Sequence, residues 1–291
     1  YKTMKRYLSI SLAVLAIAAC QKPVQPEATP GKIQIEPVIT KATEVNFENG
    51  DKIGLTIAKV NDTQKYADNA LLTYDGSVFS SDLMWYADAY SEADVYAYYP
   101  YSESGTPASY TVVLDQTAGI AQADFMAASK KGVLPTPNAI TMVFKHLMTK
   151  IVVNIDNQSG ASVEGVEIAG SQVAADIDIA EMAISPYSGP LPDEEPDPIK
   201  AYEATAGKVW KAIIIPATTK LQLIVNLSSG KKISQPLAEM TLKSGGQYTI
   251  NARLLQDDMS VSASGEIENW TDEGEIEFDG EGTTEDTPVE F

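Results

Sequence analysis

Apolar and polar residues alternate with a period of two in several short segments of the chain. In KIVVNID (150–156), LQLIVNL (221–227) and QYTINARL (247–254), every second residue is apolar and most residues between them are polar. A period of two places the apolar side chains on one face of a β-strand. Strands with one polar face are typical of antiparallel sheets that pack on one side only.

Turn signals that contain glycine separate these alternating segments. Asn49-Gly50-Asp51 and Asp75-Gly76 stand between apolar runs in the first half, and Ser229-Gly230 and Gly245-Gly246 punctuate the second. Such residues supply the backbone conformations that tight turns between strands need. No segment shows a long apolar stripe with a period of 3.6 residues. The pattern therefore predicts an all-β chain built of two antiparallel β-sandwiches.

Proline clusters divide the chain into segments. Two prolines and a glycine lie in residues 132–139, where we expect the boundary between an N-terminal sandwich (44–137) and a C-terminal sandwich (138–280). A second Pro-rich stretch, residues 188–198, predicts an exposed acidic loop within the C-terminal domain. Residues 281–291 are polar and acidic, and they predict a flexible tail.

The N-terminal segment has the layout of a lipoprotein signal. Lys5 and Arg6 precede an apolar run over residues 7–19, which is too short for a stable membrane anchor and ends in small residues directly before Cys20. Lipidation needs a thiol at this position. The pattern therefore predicts a signal peptide at residues 1–19 and attachment of the protein to a bacterial membrane through lipid on Cys20.

A Pro-rich tether follows the lipid site. Residues 20–43 contain four prolines and little apolar periodicity, which predicts an extended arm. Within the arm, Ile33, Ile35 and Val38 predict one edge strand. No other run approaches about 18 apolar residues, so the sequence predicts no transmembrane helix. Because Cys20 is the only cysteine, the fold has no disulfide available.

The chain is strongly acidic. The loss of residues 1–19 removes Lys2, Lys5 and Arg6, which leaves 18 basic against 40 acidic residues and a net charge of about −22. A surface of this charge repels phosphate, so nucleic acid is excluded as a partner.

Few residues could carry catalysis. His146 is the only histidine and no GxSxG-type elbow is present, so we interpret His146 as structural, near the domain junction. A carboxylate pair of the glycosidase type stays open because acidic residues are abundant. Calcium could be held by Asp176, Asp178 and the acidic run 193–197. Because these residues lack EF-hand spacing, we interpret them as charged side chains exposed to solvent. We predict no enzyme activity, no cofactor and no metal site.

One segment is dense in aromatic residues. These could form a sugar-stacking platform, although their position on predicted strands favours packing in the core. The residues concerned are Trp85, Tyr86, Tyr90, Tyr96, Tyr98, Tyr99 and Tyr101.

Nine motifs stand in order along about residues 40–276. They are ATEVNFENGDKIGL (42–55), YDG (74–76), WY (85–86), AYYPY (97–101), DQTAGIAQADFMAA (115–128), FKHLMTKIVVNI (144–155), IIIPATT (213–219), GGQYTINARL (245–254) and IENWTDEGE (267–275). Taken together, this series resembles the fimbrillin family of lipoprotein-derived pilus subunits from Gram-negative anaerobes.

The resemblance implies a fold and an assembly route. The fold is two tandem transthyretin-like β-sandwich domains behind the signal peptide and the arm. The route is export as a lipoprotein to the outer membrane and cell surface, followed by proteolytic removal of the arm. Removal of the arm's strand opens a groove in the first domain, and a strand from a neighbouring subunit, the same or a related protein, fills it.

The resemblance also implies a cleavage position. Family members often carry an arginine before the Ala-Thr that leads into the FxxGD motif, whereas this chain has Lys41 there, followed by Ala42. After Arg6 the next arginine is Arg253, so an arginine-specific protease has no target in the arm. Either a protease accepts Lys41 or Lys32, or the subunit stays attached to the membrane.

Three functions follow from these observations. The leading one is a structural subunit of a cell-surface fimbria that assembles by donation of a strand. The alternative is a surface protein that stays on its lipid anchor, or a tip adhesin, that captures glycan or a host ligand. The third is a hydrolase that uses a carboxylate pair. The polar C-terminal tail leaves shaft, tip and accessory positions open.

Overall fold

A computed structural model describes residues 31–39, 46–60, 62–190, 196–256 and 258–264. Regular structure in these ranges is strand, apart from a 3-10 turn at Ala121–Ala123, which confirms the predicted all-β class. Within the same ranges no helix has the length and apolar character needed to cross a membrane.

The first part of the chain closes into a seven-stranded barrel. The sheet runs in the order β1-β4-β3-β2-β5-β7-β8, and β8 returns to β1. The short β6, Ser109–Thr111, lies between β5 and β7 in the chain but pairs elsewhere. The barrel strands are β1 (Lys32–Ile39), β2 (Lys52–Lys59), β3 (Lys65–Tyr74), β4 (Phe79–Met84), β5 (Ala93–Tyr99), β7 (Met126–Val133) and β8 (Ile140–His146).

Alternation and turn chemistry explain these strands. In β8, Ile140, Met142 and Phe144 are buried while the residues between them are exposed. The predicted turns form at Gly50 and Gly76, each with φ of +98°, a conformation that glycine adopts without steric cost.

The described residues of the second part form four further sheets, one of which also includes β6. A five-stranded sheet has the order β14-β15-β9-β20-β21, and a four-stranded sheet has the order β13-β10-β17-β18. The other two are β12-β11-β6 and β16-β19. The strands are β9 (Thr149–Asn157), β10 (Val163–Ala169), β11 (Ala174–Asp178), β12 (Ala183–Pro186), β13 (Ile199–Lys200), β14 (Tyr202–Thr205), β15 (Val209–Ile214), β16 (Thr218–Thr219), β17 (Gln222–Leu227), β18 (Lys232–Pro236), β19 (Met240–Thr241), β20 (Gln247–Leu254) and β21 (Met259–Ser264).

The apolar faces predicted from periodicity are the buried faces of these strands. Ile151 and Val153 of β9, Val225 of β17 and Ile250 of β20 are at most 1% exposed and belong to one hydrophobic core. The sheets are not purely antiparallel, however. The pairs β1 with β8 and β9 with β20 are parallel, which corrects the prediction. Parallel partners need a long crossover, so local turn signals cannot reveal them.

The chain leaves the barrel between β8 and β9. Of residues 132–139, where the domain boundary is predicted, the first two end β7 and residues 134–139 connect β7 to β8, and these two strands pair with each other. The connection from the barrel to the sheets of the second part runs from His146, the end of β8, to Thr149, the start of β9. Gln116, in the segment between β6 and β7, ties this segment to the second part. Its side chain donates to Ile213 O and accepts from Ile213 N, both at 2.8 Å.

Candidate functional site: the first strand and its groove

The first strand, β1, has a sharp alternation of buried and exposed side chains. Ile33 and Ile35 are completely buried, whereas Lys32, Glu36 and Val38 are exposed. Alternation in GKIQIEPVI places the two isoleucines on the inner face of the barrel. The prediction of an edge strand was wrong, because β1 has a hydrogen-bonded neighbour on each side. The partner strands are distant in sequence and carry no local signal.

The two halves of β1 pair with different strands. Its N-terminal half is antiparallel to β4, with Lys32 opposite Met84 and Ile35 opposite Phe79. Its C-terminal half, from Ile35 to Ile39, is parallel to β8. Ile35 is the position where the two ladders meet. In the described pairing each half of β1 therefore has a barrel strand on one side only, and Ile35 is the residue that pairs with both β4 and β8.

Polar contacts along the rim of β1 are few and exposed. Lys32 Nζ lies 2.8 Å from Asp82 Oδ1, with both side chains more than half exposed. Thr141 Oγ1 donates to Glu36 Oε2 at 3.0 Å. Exposed pairs of this kind contribute about 0–1 kcal/mol each. The strand is therefore held mainly by its two buried isoleucines and by backbone hydrogen bonds.

An aromatic cluster lies where β1 ends. Phe47 packs edge-on against Phe79 and Phe144, with ring centroids 4.8 and 5.2 Å away. Phe79 stands opposite Ile35 and Phe144 opposite Ile39, so the cluster adjoins the C-terminal half of β1. Sequence reasoning missed this role of Phe47. Its place in the FxxGD motif was the available signal.

The FxxGD motif also holds the turn before β2. Asp51 Oδ2 accepts a hydrogen bond from Glu48 N at 2.8 Å, and Tyr74 N donates to Asp51 O at 2.8 Å. Tyr99, whose ring centroid lies 5.4 Å from that of Phe47, is 3% exposed. Burial, with the carboxylates of Asp51 and Asp124 nearby, raises the pKa of the Tyr99 phenol. The phenol is therefore neutral at physiological pH.

His146 lies in the core, as a structural residue would. Its Nδ1 lies 2.6 Å from Asp124 Oδ2, and neither side chain has exposed surface. Leu147 N donates to Phe125 O at 2.9 Å beside this pair. The contact between Asp124 and His146 joins the segment before β7 to the end of β8. A side chain without exposed surface gives a substrate no access, so this geometry supports a structural role.

The candidate calcium carboxylates make local contacts instead. Asp176 Oδ2 accepts from Ser188 N at 3.1 Å, and Asp178 Oδ1 accepts from Glu181 N at 3.0 Å. Residues 193–195 lie outside the described residues. In the described part of the chain, no three histidine, cysteine or acidic side chains are grouped as metal ligands would be.

Most of the aromatic segment is core, as its strand pattern favoured. Trp85, Tyr86, Tyr98 and Tyr99 are 1–7% exposed. Tyr90 differs, because 55% of it is exposed. A sugar-stacking platform made of the whole set is therefore not formed.

The predicted lipid and cleavage residues lie outside the described residues. Cys20 precedes the first described range, while Lys41 and Ala42 fall between Ile39, the last residue of β1, and the range that begins at residue 46. A cut at Lys41 would thus separate β1 from the FxxGD motif in the sequence.

Comparison with known proteins gives a family-level match. The model of the family described as fimbrillin-like matches residues 40–270. The matched region begins at residue 40, directly after Ile39, the last residue of β1. The comparison with curated proteins finds no match.

Several solved structures share the fold at low sequence identity. A candidate cell adhesion protein from Bacteroides ovatus ATCC 8483 has a TM-score of 0.67 and 20% identity, over 85% of this chain and 100% of its own. One from Bacteroides uniformis ATCC 8492 has a TM-score of 0.63 and 21% identity, over 83% and 98%. The C-terminally truncated tip fimbrial protein Mfa3 from Porphyromonas gingivalis has a TM-score of 0.50 and 10% identity, over 81% and 98%.

Proposed function

The chain belongs to the fimbrillin-like family, and on this premise we propose that it is a structural subunit of a cell-surface fimbria in which β1 is a placeholder strand. A strand donated by a neighbouring subunit takes the place of β1 after the arm is cut. The subunit binds its neighbours through this exchange and performs no catalysis.

The observation that carries the proposal is the position of β1 inside a closed barrel. Its removal would expose one side of β4 and one side of β8, together with the sites of Ile33 and Ile35. Burial of each isoleucine contributes about 1.5–3 kcal/mol. Unpaired strand edges around an apolar groove recruit an extended segment, because it restores both backbone hydrogen bonds and burial.

The proposed route has three stages. The chain is exported as a lipoprotein with acyl chains on Cys20 and is carried to the outer surface of the outer membrane. A protease that accepts lysine cuts between Lys41 and Ala42, in the connection between β1 and the FxxGD motif. The arm then gives way to the donor strand. The barrel and the second set of sheets would correspond to two transthyretin-like domains, a correspondence supported by the division of the sheets at β8 and β9.

A cut-and-assemble experiment tests this function. Residues 21–291 are produced with a specific protease site in place of residues 40–44, and the cut protein is examined for SDS-resistant ladders and filaments. The control carries Gln34→Cys and Ser80→Cys, which face each other across β1 and β4 and can lock the arm by a disulfide. We expect ladders from the cut protein and monomers from the locked control. A cut protein that loses its arm and stays monomeric would refute assembly by strand exchange.

Exposed aromatic residues support the alternative of an anchored binding protein or tip adhesin. Tyr66, Met84 and Tyr90 are 37–55% exposed, and Tyr66 Oη donates to Met84 O at 2.6 Å. Lys59 Nζ lies 4.1 Å from the centroid of the adjoining Tyr86 ring. Exposed aromatic rings can stack on sugar faces. A glycan array probed with the intact protein and with the Tyr90→Ala variant tests this alternative. Glycan binding that Tyr90→Ala abolishes would favour the adhesin, and absence of glycan binding would refute it.

A further inference from the structure

At the N-terminal end of β1, the backbone of Thr136 and Pro137 leaves no room for a side chain at position 31. We call this feature the steric stop. A Cβ atom built on Gly31 would lie 2.8 Å from Pro137 Cα and 3.2 Å from Thr136 O. Both contacts are with backbone atoms; the first is shorter than real Cβ atoms show, and the second is tighter than most real Cβ contacts. The φ angle of Gly31 is not in the left-handed region, so glycine is needed here for space and not for conformation. Trp85 N donates to Gly31 O at 2.9 Å and fixes this point.

The loop that forms the stop is poorly able to move. It comprises residues 134–139, Leu-Pro-Thr-Pro-Asn-Ala, and joins β7 to β8. Pro135 and Pro137 restrict their own φ angles and the residues before them. Asn138 N donates to Thr136 Oγ1 at 3.1 Å, which braces the loop further. A side chain at position 31 would therefore press against the backbone of a loop whose conformations are restricted.

We propose that Pro137 is a register stop, and that the groove accepts a strand only when a glycine stands two residues before the first buried apolar residue. This inference rests on the strand exchange proposed above. The accepted pattern is Gly-x-apolar-x-apolar, as in Gly31 to Ile35. A one-residue slip would turn the apolar side chains outwards, and a two-residue slip would bring a residue other than glycine against the stop.

A second copy of this chain is the source that the pattern indicates. Gly274-Glu275-Ile276-Glu277-Phe278 repeats the spacing of Gly31-Lys32-Ile33-Gln34-Ile35. The related segment Gly265-Glu266-Ile267-Glu268-Asn269 places asparagine at the position of the fully buried Ile35. Burial of an unpaired amide is costly, so the segment that begins at Gly274, which has an apolar residue at this position, matches the groove better than the segment that begins at Gly265.

Peptide exchange into the cut protein tests the stop. The protein with the protease site at residues 40–44 is cut and incubated with an excess of synthetic peptide, and replacement of the resident arm is followed by native mass spectrometry. The peptides correspond to residues 29–40, with Gly31→Ala and Lys32→Ala variants, and to residues 272–282, with a Gly274→Ala variant. Lys32→Ala is the matched control, because it removes only an exposed ion pair.

We expect both unmodified peptides to replace the arm. Each Gly→Ala change should reduce exchange by about tenfold or more, since overpacking against backbone is costly, while Lys32→Ala should change it by about threefold or less. The register is read by a disulfide between Gln34→Cys on the 29–40 peptide and Ser80→Cys on the protein, which are opposite each other in β1 and β4. This disulfide should form when the Gln34→Cys peptide keeps Gly31, and it should not form when the peptide also carries Gly31→Ala.

The outcomes separate the two proposals. If the unmodified 29–40 peptide fails to enter, strand exchange itself is refuted. If it enters but Gly31→Ala enters equally well in the same register, the stop is refuted. If 29–40 entry depends on Gly31 while the 272–282 peptide stays out, a second copy is refuted as the donor.

Discussion

Truncation of Ile35 perturbs β1 at the point where its two ladders meet. Ile35 is 0% exposed and stands opposite Phe79 on one side and Ile140 on the other. Ile35→Ala leaves a cavity inside the barrel, at a cost of about 2–5 kcal/mol. We therefore expect a loss of about 3 kcal/mol in the free energy of unfolding of the intact chain. In the cut protein a similar loss would accelerate release of the arm by about 150-fold.

Two assays measure this effect. Urea denaturation followed by tryptophan fluorescence reports the free energy of unfolding, because Trp85 is 2% exposed in the barrel. Native mass spectrometry of the cut protein reports how fast the arm dissociates. Val38→Ala is the matched control on the same strand, since Val38 is 42% exposed and its truncation should cost less than about 1 kcal/mol.

The result that would refute this reasoning is specific. If Ile35→Ala and Val38→Ala had equal effects, β1 would not be held by its inner face. If Ile35→Ala destabilised the intact chain without accelerating arm release, the isoleucine would stabilise the barrel without anchoring the arm.

Three further predictions concern contacts outside the groove. Gln116→Ala removes both hydrogen bonds to the backbone of Ile213 and should lower the free energy of unfolding by about 2–4 kcal/mol, measured by urea denaturation. Asp124→Ala breaks the buried contact with His146 and should cost about 3–5 kcal/mol in the same assay. Backbone N–H groups that bind its carboxylate lower the pKa of Asp75. Because the pKa of Asp75 is lower in the folded than in the unfolded state, its carboxylate stabilises the fold at a pH above the unfolded-state pKa. This contribution is lost as the pH falls through the folded-state pKa. Asp75→Asn should therefore flatten the decline in stability below about pH 4 in denaturation midpoints measured against pH.

Matched variants control these predictions. Gln122→Ala removes an exposed glutamine that donates to Tyr99 Oη at 3.3 Å and should cost much less than Gln116→Ala. Asp115→Ala removes an exposed carboxylate that accepts hydrogen bonds from Thr117 and lies 3.5 Å from Lys200, and it should cost much less than Asp124→Ala. If Gln116→Ala and Gln122→Ala lowered the free energy of unfolding equally, the buried contact of Gln116 would not be important for stability. The same holds for Asp124→Ala and Asp115→Ala. An acid decline that Asp75→Asn leaves unaltered would contradict the pKa argument.

Local pattern was sufficient to predict which residues of a strand face inwards. In the Pro-rich arm, Ile33, Ile35 and Val38 predicted only that a strand is present; the two isoleucines are buried, whereas Val38 is 42% exposed. Local pattern also predicted the glycine turns, where a single residue type supplies the conformation. These predictions depend on interactions within a few residues of the chain.

Pairing between distant strands could not be predicted in this way. The place of β1 between β4 and β8, with Ile39 opposite Phe144, joins positions about a hundred residues apart. Gln116 and Ile213 are 97 residues apart. The aromatic contacts of Phe47 depend on barrel closure, which no local motif encodes. The central feature of the candidate groove therefore required the structure.

The mature N-terminus of assembled subunits tests the central claim most directly. SDS-resistant fimbriae would be isolated from the cell surface, and the first residue of this chain determined by mass spectrometry. If β1 is a placeholder removed at the end of the arm, the chains in fimbriae begin at Ala42. Fimbriae in which the chain begins at a lipidated Cys20 and retains β1 would contradict the claim.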